Sequence, residues 1–130
     1  GWAFKKDTSD TRESASIYVA DHLMDENANI IVYDPKVTEN QIYADLDYLG
    51  TRDPEENRKL LKVVNKPDQI FKDAHAVAIL TDWDEFKQYN WEDIYEQMTK
   101  PAFIFDGRKI LNKKEMKGIG FNIFSLGTSK

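Results

Sequence analysis

Three cations in two short stretches of this 130-residue chain have the residue types and settings for binding an anion. Lys5 and Arg12 stand in FKKDTSDTRES (residues 4–14), spaced by small hydroxyl and carboxylate residues, and Arg108 closes FIFDGR (103–108). A lysine or arginine beside a helix N-terminus adds its charge to the free N–H groups and dipole there, which suits a phosphorylated ligand. Surface cations paired with nearby carboxylates would give the same pattern, so residue type and spacing leave both readings open.

Other chemistries find less support. The first loop carries one glycine where the G-x-G-x-x-G dinucleotide fingerprint needs three. His22 falls on the exposed side of a predicted helix and His75 at the start of a predicted strand, neither with a second ligand at metal spacing. Asp82, Asp84 and Glu85, like Glu92 and Asp93, read as charges favouring a helix start rather than as a catalytic carboxylate pair. Trp83 and Trp91 read as core packing before they read as a stacking pocket. Neither a Ser-His-Asp set nor a zinc-binding pattern is present, so no metal site and no catalytic residue is assigned.

Composition narrows the classes further. The net charge of −5 argues against a broad nucleic-acid footprint, so no nucleic-acid partner is expected. Cysteine is absent, which removes disulfides and thiolate chemistry from this stretch and fits a reducing, cytoplasmic setting. No apolar run approaches the ~20 residues that span a bilayer, so no membrane partner is expected. The chain opens on Gly1 rather than Met, inside a motif, as a domain from a longer protein would.

The elements that must position these residues alternate between helix and strand. Asp10 and Glu13 have capping-box spacing, which predicts a helix from about Thr11, with Ile17, Ala20 and Met24 on one face and a stop at Asn27. Ile30 to Tyr33 is a short apolar run of the kind buried on both faces of a parallel sheet, ended by Asp34-Pro35. Gln41 to Leu49 reads as helix, Gly50 to Asn57 as a charged loop, Leu60 to Val64 as an edge strand and Pro67 to Asp73 as a short helix. A buried strand at His75 to Thr81 precedes helices at Asp84 to Gln88 and Trp91 to Thr99, the first of them with a second capping-box spacing at Asp82 and Glu85. Ala102 to Phe105, a helical piece at Lys113 to Lys117, and Phe121 to Leu126 complete the series.

The sum is an α/β domain, a Rossmann-like, mainly parallel sheet flanked by helices. Right-handed βαβ logic wants a strand feeding the first helix, and only Trp2 to Phe4 stands there, so a first strand is expected upstream of Gly1. Ligands of such sheets bind beyond the carboxyl ends of the strands. That rule selects Lys5 to Arg12, Asp34 to Val37, Thr81 to Asp84 and Asp106 to Lys109, expected along one sheet edge.

FKKDTSDTRES, VAILTDWDEF (77–86) and FIFDGR, in this order and spacing, resemble the hallmarks of the C-terminal domain of the UDP-glucose/GDP-mannose dehydrogenase family. The similarity runs from Gly1 to about Gly127, and the paired lysines with SIYVADHLMDENANIIVYDPKV (16–37) specifically resemble the animal members that oxidise UDP-glucose. The resemblance implies that residues 1–130 are the UDP-sugar-binding domain of a larger dehydrogenase. Such an enzyme turns UDP-glucose into UDP-glucuronate with two NAD, through a cysteine that lies upstream in the family, so this piece alone would not turn over. It implies UDP-sugar contacts at Phe4, Lys5 and Arg108, a cofactor contact at Arg12, a tight turn at Gly107, and a role for Asp10 in ordering the loop. It also implies a homo-oligomer, a hexamer built from dimers. The alternatives are the equivalent domain of a UDP-HexNAc or GDP-mannose enzyme, and a non-catalytic nucleotide-binding module on the same scaffold.

Overall fold

The structure is a computed structural model that describes residues 1–125, so Leu126, the end of the last expected strand, lies outside the described residues. The chain forms two compact units, Gly1–Ile70 and Phe71–Lys130. Parallel strands flanked by helices are present as expected, but in two sheets rather than one.

The first unit opens with an irregular segment and helix α1 (Ala15–Asp25), followed by β1 (Ile30–Val32), α2 (Glu39–Leu49), α3 (Pro54–Leu60) and β2 (Leu61–Val63). β1 and β2 are parallel, with Ile30 opposite Leu61 and Val32 opposite Val63. Helix α1 buries Ile17, Ala20 and Met24, the face its periodicity predicted. Its start differs from expectation. Ser14, not Asp10, is the N-cap, and its hydroxyl accepts from the Ser16 N–H. Asp10 is diverted by Arg12, and Glu13 sits at φ 61°, outside helical space, so the helix cannot begin before Ser14.

Helix α2 is capped at its start by the Thr38 hydroxyl, and Gly50 ends it at φ 68°, where a left-handed residue is required. The expected charged loop at Gly50 to Asn57 is corrected by α3. This short helix has Pro54 in its first turn, Glu55 and Glu56 after it, and Arg58 and Lys59 in its last turn. That arrangement matches the helix dipole, whereas hydrophobic periodicity is silent because α3 buries only the polar Asn57.

The second unit contains β3 (Ala76–Ile79), α4 (Asp84–Lys87), α5 (Trp91–Gln97), β4 (Phe103–Asp106), α6 (Lys113–Ile119) and β5 (Asn122–Ser125). Its sheet runs β3-β4-β5, all parallel, with Val77, Ile104 and Ile123 in one row. The Pro67 to Asp73 segment, at the boundary of the units, contributes one 3-10 turn at Pro67–Gln69.

The strands are less enclosed than expected. Ile31 is 45% exposed, and in β3 Ala76 and Ala78 are exposed while Ile79 is buried. On the β3-β4-β5 sheet one face is core, with Ile104 and Ile123 buried, and the other carries Phe103, Phe105 and Phe124 in a stack. Trp83 and Trp91 are buried, and Trp91 meets Phe71 and Phe121 edge to face, so both tryptophans are core as read from sequence. His75, by contrast, is exposed. No helix among the described residues is long and apolar enough to cross a membrane.

Candidate functional site

In the first unit, Phe4 and Lys5 lie in the irregular segment before α1, and both are exposed. The segment is held without secondary structure. The Phe4 N–H donates to the Asp10 carbonyl at 2.7 Å, closing the loop on itself. Trp2 and Ala3 are buried, and their N–H groups donate to one carboxylate oxygen of Asp34, just past the end of β1, at 2.7 and 2.9 Å. The other Asp34 oxygen accepts from the Lys36 and Val37 N–H groups at 2.9 and 3.0 Å. The loop after β1 therefore carries the segment that presents Phe4 and Lys5. Burial pushes the Asp34 pKa up, but the four backbone N–H donors outweigh it and leave it below the ordinary carboxylate value.

Arg12 is in the same loop, with its side chain 89% exposed. It is tied to Asp10 two residues back: Nε donates to one carboxylate oxygen at 3.1 Å, the terminal nitrogen to the other at 2.8 Å, and the backbone N–H to the first at 2.9 Å. These side-chain bonds, then the backbone one, lower the Asp10 pKa to about 2, and the same pairing raises that of Arg12. Asp10 thus orders the loop, as the resemblance implied, and does so through Arg12 instead of capping the helix.

In the second unit, Arg108 stands beyond the carboxyl end of β4. Its guanidinium donates to the Leu80 carbonyl at 3.1 Å and lies 3.6 Å from an Asp82 carboxylate oxygen. The turn beneath it is built by Asp106, fully buried, whose two carboxylate oxygens accept from the Arg108 N–H at 3.2 Å and the Leu111 N–H at 2.9 Å. Gly107 fits because of close approach: a Cβ there would lie 3.1 Å from the Ile79 carbonyl oxygen.

Asp82 also stands at capping-box spacing, with Glu85. Trp83 is the N-cap of α4, without a side-chain cap bond, and the Asp82 carboxylate faces Arg108. The segments after β3 and β4 thus meet within this unit, as those before α1 and after β1 meet within the first.

Asp34 and Asp106 open two of the strand-end segments that the sheet rule selects, but the sequence assigns neither carboxylate a role of its own. The available signal was position: an aspartate directly beyond a parallel strand has several turn N–H groups within reach.

Residues 1–113 match the model of the UDP-glucose/GDP-mannose dehydrogenase family, UDP binding domain. Over 129 residues the chain is 47% identical to UDP-glucose 6-dehydrogenase of Pongo abelii, covering 98% of this chain and 26% of the relative. It is 46% identical over 129 residues to UDP-glucose 6-dehydrogenase of Caenorhabditis elegans, covering 99% and 26%. A solved UDP-D-ManNAc dehydrogenase from Pyrococcus horikoshii aligns over 85% of this chain and 30% of that one, at 24% identity and a TM-score of 0.49. The chain spans about a quarter of the length of the curated relatives it matches.

Proposed function

The chain belongs to the UDP-glucose/GDP-mannose dehydrogenase family as its UDP-binding domain, and from that premise we propose that it is the C-terminal, UDP-sugar-binding part of a larger NAD-dependent enzyme that oxidises UDP-glucose to UDP-glucuronate. The observation that carries this reading is the 47% identity to an animal UDP-glucose 6-dehydrogenase over 98% of the chain. Phe4, Lys5 and Arg108 are the proposed UDP-sugar contacts. Lys5 brings a mobile point charge with three donors, Arg108 a planar fork for phosphate or sugar oxygens, and Phe4 an apolar wall. Exposure of Phe4 and Lys5, and the third of the Arg108 side chain left in solvent, support these roles.

The overall conversion takes a primary alcohol to a carboxylate, so two hydrides leave C6 and one water enters. NAD, when bound, supplies the hydride acceptor. The residues of this chain do not make a site for it on their own: Arg12 is the one cation proposed to reach it, and no glycine-rich phosphate turn accompanies it. We therefore assign this chain substrate binding, with Arg12 as a contact from its exposed loop. The covalent and redox steps, including the cysteine nucleophile, belong to other parts of the enzyme. We place that enzyme in the cytoplasm as a homo-oligomer, a hexamer built from dimers, which light scattering of the intact protein would weigh directly.

Thermal denaturation of the intact protein tests the substrate. A ligand bound only by the native state stabilises it, by about 2.7 kcal/mol at a hundred times its Kd. UDP-glucose should raise the Tm and GDP-mannose should not. A preference for GDP-mannose, or for a UDP-HexNAc, would assign the domain to another nucleotide sugar.

A further inference from the structure

The carboxylate of Asp34 does more than end β1. An aspartate before Pro35 needs only its own turn, and one oxygen accomplishes that by accepting from the Lys36 and Val37 N–H groups. The second oxygen is committed to a segment 32 residues away, where it accepts from Trp2 and Ala3. Three further bonds converge on that segment. Ser14 Oγ donates to the Trp2 carbonyl at 2.8 Å, Ser16 Oγ to the Gly1 carbonyl at 2.8 Å, and the Trp2 indole N–H to Asp45 at 3.1 Å. Phe4 and Lys5 follow immediately and are exposed. Their direction is therefore set by what holds Trp2 and Ala3.

We propose that Asp34 is a positioning residue for UDP-sugar binding, its second carboxylate oxygen fixing the backbone from which Phe4 and Lys5 reach the ligand. This rests on the reading of Phe4 and Lys5 given above. Asp34 itself is 8% exposed and acts through the segment rather than on the ligand.

The two oxygens can be separated by one substitution. Asparagine has a single carbonyl oxygen, and its amide nitrogen cannot accept. In Asp34→Asn that oxygen serves the local turn, where the partners are two and three residues away, and the amide nitrogen faces the Trp2 and Ala3 donors. The turn is kept and the tether is lost.

In the intact enzyme, Asp34→Asn should raise the KM for UDP-glucose roughly tenfold, the equivalent of about one net bond to a charged group. The KM for NAD should rise less than that for UDP-glucose, because Arg12, in the same loop, is held by Asp10 rather than by Asp34. Hydrogen exchange should quicken at the Trp2 and Ala3 amides while Lys36 and Val37 keep their protection. In the double variant with Lys5→Ala, the rise in the KM for UDP-glucose should fall short of the product of the two single rises, since residues acting as one unit are not additive. Should Asp34→Asn fail to fold, Ser16→Ala removes only the hydroxyl bond to the Gly1 carbonyl and should move the same KM in the same direction by less.

An unchanged UDP-glucose KM in Asp34→Asn, beside a raised one in Lys5→Ala, overturns the positioning role and leaves the Lys5 assignment standing. Equal rises in both KM values overturn it too, as a general loosening. If Lys5→Ala leaves UDP-glucose use untouched, it is the site reading itself that fails, whatever the exchange rates show.

Discussion

Arg108 donates to the carbonyl of Leu80 at 3.1 Å, which ties the turn after β4 to the end of β3. The arginine is thus held by backbone on one side and faces Asp82 at 3.6 Å on the other. A guanidinium fixed in this way loses little conformational freedom when a ligand oxygen arrives.

Replacing it should be costly for the substrate and cheap for the fold. Arg108→Ala in the intact enzyme is expected to lower kcat/KM for UDP-glucose by an amount equivalent to about 1.5–3 kcal/mol, the range for hydrogen bonds to a charged group. Steady-state kinetics at fixed, saturating NAD measure this. An unaltered kcat/KM removes Arg108 from the site.

Arg12 should show the opposite preference. Arg12→Ala is expected to raise the KM for NAD more than that for UDP-glucose, and Asp10→Asn, which weakens the tether on the guanidinium, should also act mainly on the NAD side. Varying each substrate in turn separates the two. A larger effect on UDP-glucose would count against the cofactor assignment.

Acid should reveal the Asp34 carboxylate. Its folded pKa lies below the ordinary value of about 3.9, so its ionised form favours the folded state. That contribution is fully present above the unfolded pKa and is lost as pH falls through the lowered folded one, below about pH 4. Urea midpoints of wild type and Asp34→Asn should therefore differ most near neutral pH and converge in acid. Parallel pH profiles would show that the carboxylate charge contributes nothing.

Gly120 tests the second unit without touching the site. It follows α6 at φ 131°, and a Cβ there would lie 2.6 Å from the Tyr95 ring, which packs edge to face on Phe121. Gly120→Ala should destabilise by about 2 kcal/mol or more, combining backbone strain with overpacking. The readout is a lower Tm with the KM for UDP-glucose kept at the wild-type value. A neutral substitution would mean that Tyr95 and the backbone both relax at no cost.

Much of this molecule could be read before any coordinates. The apolar runs at Ile30, Val77, Phe103 and Ile123 became strands, and the Ile17, Ala20, Met24 face became buried, because such patterns depend on residues a few positions apart. The motif residues Phe4, Lys5, Arg12 and Arg108 were visible for a different reason: they stand in short stretches that match a family.

Partner choice among polar groups was beyond that reach. Asp10 and Glu13 have capping-box spacing, yet Asp10 binds Arg12 and Ser14 caps α1; Asp82 has it too, and faces Arg108. A carboxylate accepts from whichever donors the folded backbone brings to it, and several local partners differ by about 1 kcal/mol, too little for spacing to rank. The Asp34 contact with Trp2 spans 32 residues and exists only once β1 and the opening segment are placed. Local patterns therefore settled most of the strands and helices here, α3 excepted, whereas the pairings of Asp34 with Trp2 and of Asp82 with Arg108 came only from long-range packing.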